Sequence, residues 1–117
     1  MRFRTALAAA AGALTLIVAL PTSAAAAEGE FQYTYTGLNG SPRTAVLENP
    51  ESWQCVTLPE VADPSASSPA HSPRNRTDEY AMVFTGPDCD GDSFTLRPDT
   101  GYGSQRLKLR SVLFFFS

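Results

Sequence analysis

Apolar and polar residues alternate along EFQYTYTGLNGSPRTAVLENP, residues 30–50. The run is rich in Thr and aromatic side chains, which fit a pleated, half-buried surface. Gly37, Asn39, Gly40 and Pro42 interrupt it as turn residues. The pattern predicts two strands joined by a tight turn. WQCVTLPEV, residues 53–61, predicts another short strand with Trp53, Cys55 and the stretch Val56 to Leu58 pointing inward. EYAMVFTG (79–86), DSFTLRP (92–98) and RLKLRSVLFFF (106–116) read as three more strands. No stretch beyond residue 27 has a helical period, so the class is all-β.

One long segment breaks the alternation. ADPSASSPAHSPRNRTD, residues 62–78, has three prolines, four serines and no bulky apolar residue. Such a stretch has nothing to bury, and it predicts an exposed, mobile loop open to proteases. The first thirty residues, MRFRTALAAAAGALTLIVALPTSAAAAEGE, differ again. Arg2 and Arg4 precede a mostly apolar run from Ala6 to Leu20, Pro21 ends it, and small residues follow to Ala27. That is the layout of a secretory signal peptide over residues 1–27. Cleavage is expected after Ala27, with Ala25 or Ala26 as alternative ends. The domain then spans residues 28–117.

Charge and cysteine content narrow the class. The chain carries twelve acidic and nine basic residues, a net charge of −3. All twelve acids but only seven of the basic residues follow residue 27, so the exported part stands at −5. This disfavours nucleic acid and anionic membranes as partners. The two cysteines, Cys55 and Cys89, would meet an oxidising compartment and pair there. Two thiols and the single His71 do not make a zinc shell.

The segment 62–78 divides the domain into two similar halves. Shifted by 51 residues, Tyr33 falls on Phe84, Thr34 on Thr85, Gly40 on Gly91 and Thr44 on Thr95. In the same register Gln54 falls on Gln105, Val56 on Leu107, Leu58 on Leu109 and Val61 on Val112. Two such units suggest a duplicated motif of the kind that builds Greek-key sandwiches. Phe84, Cys89, Gly91, Phe94, Leu96 and Ser111 then carry a specific resemblance. Their order is an aromatic residue, an apolar residue five positions later, a glycine two further on, alternating apolar residues and a serine by the last strand. This resembles a βγ-crystallin motif. In the first half Tyr33, Leu38 and Gly40 match, while Glu60 stands at the serine position. The resemblance implies a two-motif Greek-key β-sandwich. It extends to small secreted βγ-crystallin-like proteins of actinobacteria, some of them toxin-like and some proteinase inhibitors.

Candidate chemistry is sparse. Asp88, Asp90 and Asp92 hold positions 1, 3 and 5 of an EF-hand-like loop, and Asp99 holds position 12. Ser93 replaces the glycine needed at the sharp turn, and Pro87 and Pro98 exclude flanking helices. The calcium signature of the family is a pair of Asn/Asp residues, two variable positions and Ser/Thr-Ser. Neither Arg106 to Ser111 nor Cys55 to Glu60 supplies it. An acidic hairpin turn is therefore expected rather than a calcium site, and no metal or cofactor. His71 is expected to be exposed and idle in its loop. No nucleophile–base pair, opposed carboxylates or phosphate-binding loop is visible, so the chain is read as a non-enzyme.

Arg74, Arg76, Lys108 and Arg110 form a candidate contact strip. Lys108 and Arg110 alternate with Leu107 and Leu109 and should share an outward face. The strip could meet an acidic partner or simply guard an edge. Phe114, Phe115 and Phe116 cannot all be buried by alternation, which leaves an apolar edge for a partner. The expectation is a secreted, monomeric, non-enzymatic binding domain whose partner is an extracellular protein or a cell-envelope component. The alternative is an extracellular proteinase inhibitor or toxin-like protein acting through the loop 62–78.

Overall fold

A computed structural model of the chain describes residues 25–117. Of the expected leader, residues 1–24 lie outside the described part. The described residues form nine strands: β1 (Gly29–Thr36), β2 (Pro42–Glu48), β3 (Cys55–Thr57), β4 (Ala70–Thr77), β5 (Tyr80–Phe84), β6 (Ser93–Leu96), β7 (Gly101–Tyr102), β8 (Lys108–Leu109) and β9 (Ser111–Phe115). Two short 3-10 turns, Pro59–Val61 and Pro87–Cys89, are the helical content. The class is all-β, as the alternation predicts.

The strands make two antiparallel sheets. One has the order β3-β9-β5-β6, and the other β2-β1-β4-β7 with β8 also paired to β4. The first half of the chain supplies β1, β2 and β4 to one sheet but sends β3 to the other. The second half supplies β5, β6 and β9 to its own sheet and sends β7 and β8 across. Neither half therefore closes its own edge. Phe31 and Tyr33 from β1 meet Ala81, Val83, Val112 and Phe114 from β5 and β9 in one core, with Leu58, Val61 and Leu109 at its side. The Phe31 and Phe114 rings meet edge to face at 5.3 Å, a favoured aromatic geometry.

A polar residue sits in this core with its bonds met. The Asn75 side-chain amide donates to the carbonyls of Glu79 (2.8 Å) and Arg97 (3.0 Å). Its oxygen accepts from the Thr77 amide (3.2 Å) and hydroxyl (2.7 Å). Asn75 thus ties the β4–β5 corner to the turn after β6. An unpaired amide there would be costly, but a satisfied one fixes the corner.

Three sequence-based expectations need correction. The first concerns residues 62–78. Only residues 62–69 are a loop, and residues 70–77 are β4, which lies between β1 and the β7/β8 strands. Pro73, Asn75 and Thr77 are buried while Arg74 and Arg76 are exposed. The period of two is present, but it is written in small and polar residues. Pro73 is accommodated because pairing with β1 shifts between Gln32 and Thr34, and a bulge tolerates a residue without an amide donor.

The second correction concerns strand ends. Trp53 does not point inward: it is 57% exposed with φ 61°, and its strand is only Cys55–Thr57. The run 106–116 is two strands in different sheets, broken at Arg110. The third concerns the repeat. The 51-residue register joins Leu58 to Leu109, both fully buried, but it fails in the first hairpins of the two halves. Tyr33 pairs with Ala45 whereas Phe84 pairs with Ser93, an offset of 48 residues on the second strand, and Tyr33 faces the core where Phe84 faces outward. The first half then takes an additional segment before its fourth strand. Ser72 lies in the bulge opposite Tyr33, as Ser111 lies opposite Phe84, and the offset there is 39 residues. Glu60 and Val61 lie in a 3-10 turn rather than a strand, so neither is placed as Ser111 and Val112 are.

Cys55 and Cys89 are bonded, with Cα atoms 6.0 Å apart. The bridge joins β3 of the first half to the turn after β5 in the second. Closing a loop of 34 residues' separation is worth about 4 kcal/mol in chain entropy. Cys55→Ser should lower the unfolding free energy by roughly that amount. Urea melts of the variant and of the oxidised protein check it, and equal midpoints would contradict it.

Candidate functional site

The hairpin that carries three of the four acidic candidates, Asp88, Asp90 and Asp92, is folded over the start of β9. Thr85 donates its amide to the Asp92 carbonyl (2.9 Å), and Gly86 donates to Asp90 (2.9 Å). Gly91 has φ 88°, and a Cβ there would lie 2.4 Å from the Thr85 hydroxyl oxygen, so the turn requires glycine. The Ser111 hydroxyl donates to the Gly86 carbonyl (2.6 Å) and accepts from the Cys89 amide (2.8 Å). The Asp88 amide donates to the Thr57 hydroxyl oxygen (2.9 Å). Asp88 and Cys89 both take the left-handed conformation. Ser111, Thr57 and the disulfide together clamp this hairpin onto β3 and β9.

The four acidic candidates do not converge. Asp88 faces Thr57, Asp90 accepts from the Gly91 amide (2.8 Å), and Asp92 closes the hairpin. Asp99 sits in another turn, where its amide donates to Thr77 (2.8 Å). Among the described residues, no three His, Cys, Asp or Glu side chains are placed to share a metal. Glu60 has a different role from a motif serine. It accepts a 2.6 Å hydrogen bond from the Tyr33 hydroxyl. Burial, and then this bond, push the Tyr33 hydroxyl well above the ordinary tyrosine range.

The basic candidates separate into two groups. Arg74 and Arg76 are exposed on the outer face of β4, opposite Gln32 and Glu30. Lys108 is also exposed, and its ammonium donates to the Gln105 carbonyl (2.7 Å). Arg110 does not share that surface. It is only 7% exposed, because the chain changes sheets there and the alternation stops. Its guanidinium donates to the Val61 carbonyl (3.0 Å), the Ser67 hydroxyl (3.0 Å) and the Ser67 carbonyl (2.7 Å).

Arg110 therefore braces the 62–69 loop from beneath. Within the loop Asp63 accepts from the Ser65 amide (2.9 Å) and hydroxyl (2.7 Å), which hold its carboxyl below the usual range. The expected slack linker is a tied turn. His71 is not in a loop either. It is partly buried on β4, with Nδ1 2.8 Å from the Ser72 hydroxyl oxygen. Burial first, and Lys108 second, lower its pKa. The neighbouring Ser72 is held by strand geometry and faces no second base or acid.

The most distinctive surface is the outer face of the β3-β9-β5-β6 sheet. Directly paired residues share a face. The pairs Leu113–Cys55, Leu113–Met82, Met82–Thr95 and Phe115–Tyr80 therefore line up on the outside. At the Ser111 end the folded hairpin covers this face. At the other end it is open and aromatic. Tyr80 and Phe115 stack at 5.3 Å, and Trp53 meets Phe115 at 5.6 Å and Phe116 at 5.8 Å. Trp53 and Phe116, at 57% and 48% exposure, form the rim. The Trp53 amide donates to the Phe114 carbonyl (2.7 Å), which fixes the turn against β9. The triple Phe run signals part of this surface. Trp53 does not, because alternation alone places it inward.

The opposite outer face is mixed: Glu30, Gln32, Thr34, Arg74 and Arg76 line β1 and β4, and the exposed Val46 and Tyr102 flank Gln32 and Arg74 in the same row. An open cavity of about 520 Å³ beside the first hairpin is lined by Tyr35, Gly37, Leu38, Arg43 and Glu60. No family model, curated protein or solved structure matches this chain.

Replacing Arg110 tests the brace. Arg110→Ala leaves the Val61 and Ser67 carbonyls without their donors and should cost roughly 2–4 kcal/mol. Limited proteolysis should then cut within 62–69 faster than in the wild type. An unchanged melt and digestion pattern would show that the guanidinium braces nothing.

Proposed function

We propose that this chain is an exported, non-enzymatic binding domain that attaches to a cell-envelope component through the aromatic end of its four-stranded sheet. The observation that carries this reading is the exposed Trp53 held beside Phe115, Phe116 and Tyr80. Contiguous exposed apolar surface marks interaction sites, and Trp and Tyr are over-represented where binding energy concentrates. The acidic charge of the exported part argues against polyanionic partners.

The βγ-crystallin resemblance belongs to the same reading. It is supported by the exchange of third strands between sheets. It is supported also by the positive φ at both Gly40 and Gly91, and by the Ser111 clasp on the second hairpin. The inhibitor reading keeps one supporting observation, the bracing of 62–69 by Arg110, since a reactive loop must be held to its target.

Export makes a definite statement about processing. Ala27 is fully buried and its amide donates to the Pro50 carbonyl (2.8 Å), while Ala26 bridges to Glu51. Cleavage after Ala27 would remove both contacts. Cleavage after Ala25 keeps the Ala27 bond, gives up only the bond from the Ser52 amide to the Ala25 carbonyl (2.9 Å), and leaves Ser23 and Ala25 as the small residues flanking the site. The secreted protein should begin at Ala26 by intact mass, and a Glu28 terminus would contradict this.

Attachment is tested with the oxidised secreted protein and purified cell walls of the producing cells. The wild type should co-sediment, and Trp53→Ala with Phe116→Ala should reduce retention at least tenfold while leaving the melt unchanged. Equal retention of both proteins, or none of either, would overturn the reading.

A further inference from the structure

We propose that the aromatic end of the sheet binds an uncharged polysaccharide chain, with sugar rings stacked on Trp53 and its neighbours; this rests on the binding reading above. A pyranose ring has a face of polarised C–H groups and an edge of hydroxyls. An aromatic ring offers a negative π face to such C–H groups, and Trp and Tyr add a polar tip at the ring edge. Tyr80, Phe115, Trp53 and Phe116 follow one another at centroid steps of 5.3, 5.6 and 5.8 Å, so they form a continuous strip rather than isolated rings.

Charge selects among polymers. The outward positions of the sheet are Cys55, Thr57, Tyr80, Met82, Phe84, Ser93, Thr95, Ser111, Leu113 and Phe115, and none is charged. Arg74 and Arg76 lie on the other sheet, β4 being paired with β1. An acidic glycan would find no cation at these strand positions, the nearest along the chain being Arg97 just past β6, and would be repelled by the chain as a whole. A neutral chain meets neither obstacle.

Size argues against a protein occupant. From strand and residue spacings, the open part of the face spans on the order of 250 Å². A stable protein complex or dimer buries ~800 Å² per partner. A short run of sugar rings needs no more than a strip. Trp53 is also held in a sparsely populated backbone region, φ 61°. That conformation is uncommon for a bulky residue, and a surrounding structure that enforces it is typical of binding positions.

Trp53 is the only tryptophan in the chain, so its fluorescence reports the site directly. The probes are tetra-N-acetylchitotetraose and cellotetraose, with a polygalacturonate oligomer as the anionic control. At least one neutral tetramer should give a saturable emission change, and the anionic oligomer none. Retention on the matching insoluble polysaccharide should fall at least tenfold in Trp53→Ala and at least threefold in Phe116→Ala. Both variants must keep the wild-type circular dichroism spectrum. The absence of any saturable change with neutral tetramers would overturn the proposal. If attachment to cell walls then proves to need the aromatic residues but disappears after protease treatment of the walls, the partner is a protein. In that case the glycan proposal fails while the binding reading stands. Dimerisation lost in Trp53→Ala, without glycan binding, would equally overturn it in favour of a second copy.

Discussion

Neither half of this molecule can finish its own sheet. Each sends its third strand to the other, β3 to pair with β9, and β7 and β8 to pair with β4. The two halves must therefore fold together. A chain of this size has little surface to hide relative to what it exposes, so a shared core is the way to gain enough burial. The stabilising devices sit where the exchange happens. The disulfide joins β3 to the second hairpin. Thr57 on β3 accepts from the Asp88 amide of that hairpin, and Ser111 on the partner strand of β3 clasps the same turn. Arg110, at the point where the chain crosses from β8 to β9, ties the crossing to the 62–69 loop. Asn75 ties the opposite corner.

The two hairpins show how much one hydroxyl can decide. Both have a glycine with positive φ, Gly40 and Gly91. Only the second is pinned by a serine from the last strand. In the first half Ser72 lies 2.8 Å from His71 instead, and the hairpin is held locally. There Asn39 accepts from the amide and hydroxyl of Ser41 at 3.1 and 2.6 Å. The first turn accordingly leaves Leu38 fully exposed, whereas the second is held down over the sheet. The second is also the one that bears the cysteine. The halves share an outline but not an anchoring.

What could be read from the sequence follows from how burial is written in it. β1, β5 and β9 bury ordinary apolar residues at alternate positions, and β2 half-buries Ala45 and Leu47, so alternation finds them; β6 buries only Leu96. The pairing of Cys55 with Cys89 follows from compartment and count. β4 was not legible because its buried positions are Pro73, Asn75 and Thr77, which pack through hydrogen bonds and shape rather than through hydrocarbon. The repeat register failed in the first hairpins, where the strand pairings differ by three residues, and again beyond Leu58, where a loop with its own brace intervenes before the fourth strand. Arg110 was misplaced because alternation assumes one continuous strand, and the chain changes sheets at that residue. Trp53 was misplaced together with Cys55, because a three-residue edge strand does not show which parity faces the core, and here Cys55 and Thr57 pair with Leu113 and Ser111 on the outer face.

The same facts explain why the candidate site lies on one sheet only. An outward aromatic strip on a small domain is a liability for solubility, and it persists in a soluble fold only if its extent is limited. Here the folded hairpin covers the Ser111 end of the sheet and leaves the Phe115 end open. The other sheet turns Glu30, Gln32, Arg74 and Arg76 outward, and these charged and polar residues separate the exposed Val46 from Tyr102 on that face. The hairpin clamp and the open strip are thus two ends of one strand, β9. Ser111 at its start fixes the fold, and Phe115 near its end, flanked by Trp53 and Phe116, carries the surface. A change that loosened the clamp would enlarge the apolar face, so stability and the boundary of the exposed apolar surface are set by the same hydrogen bonds.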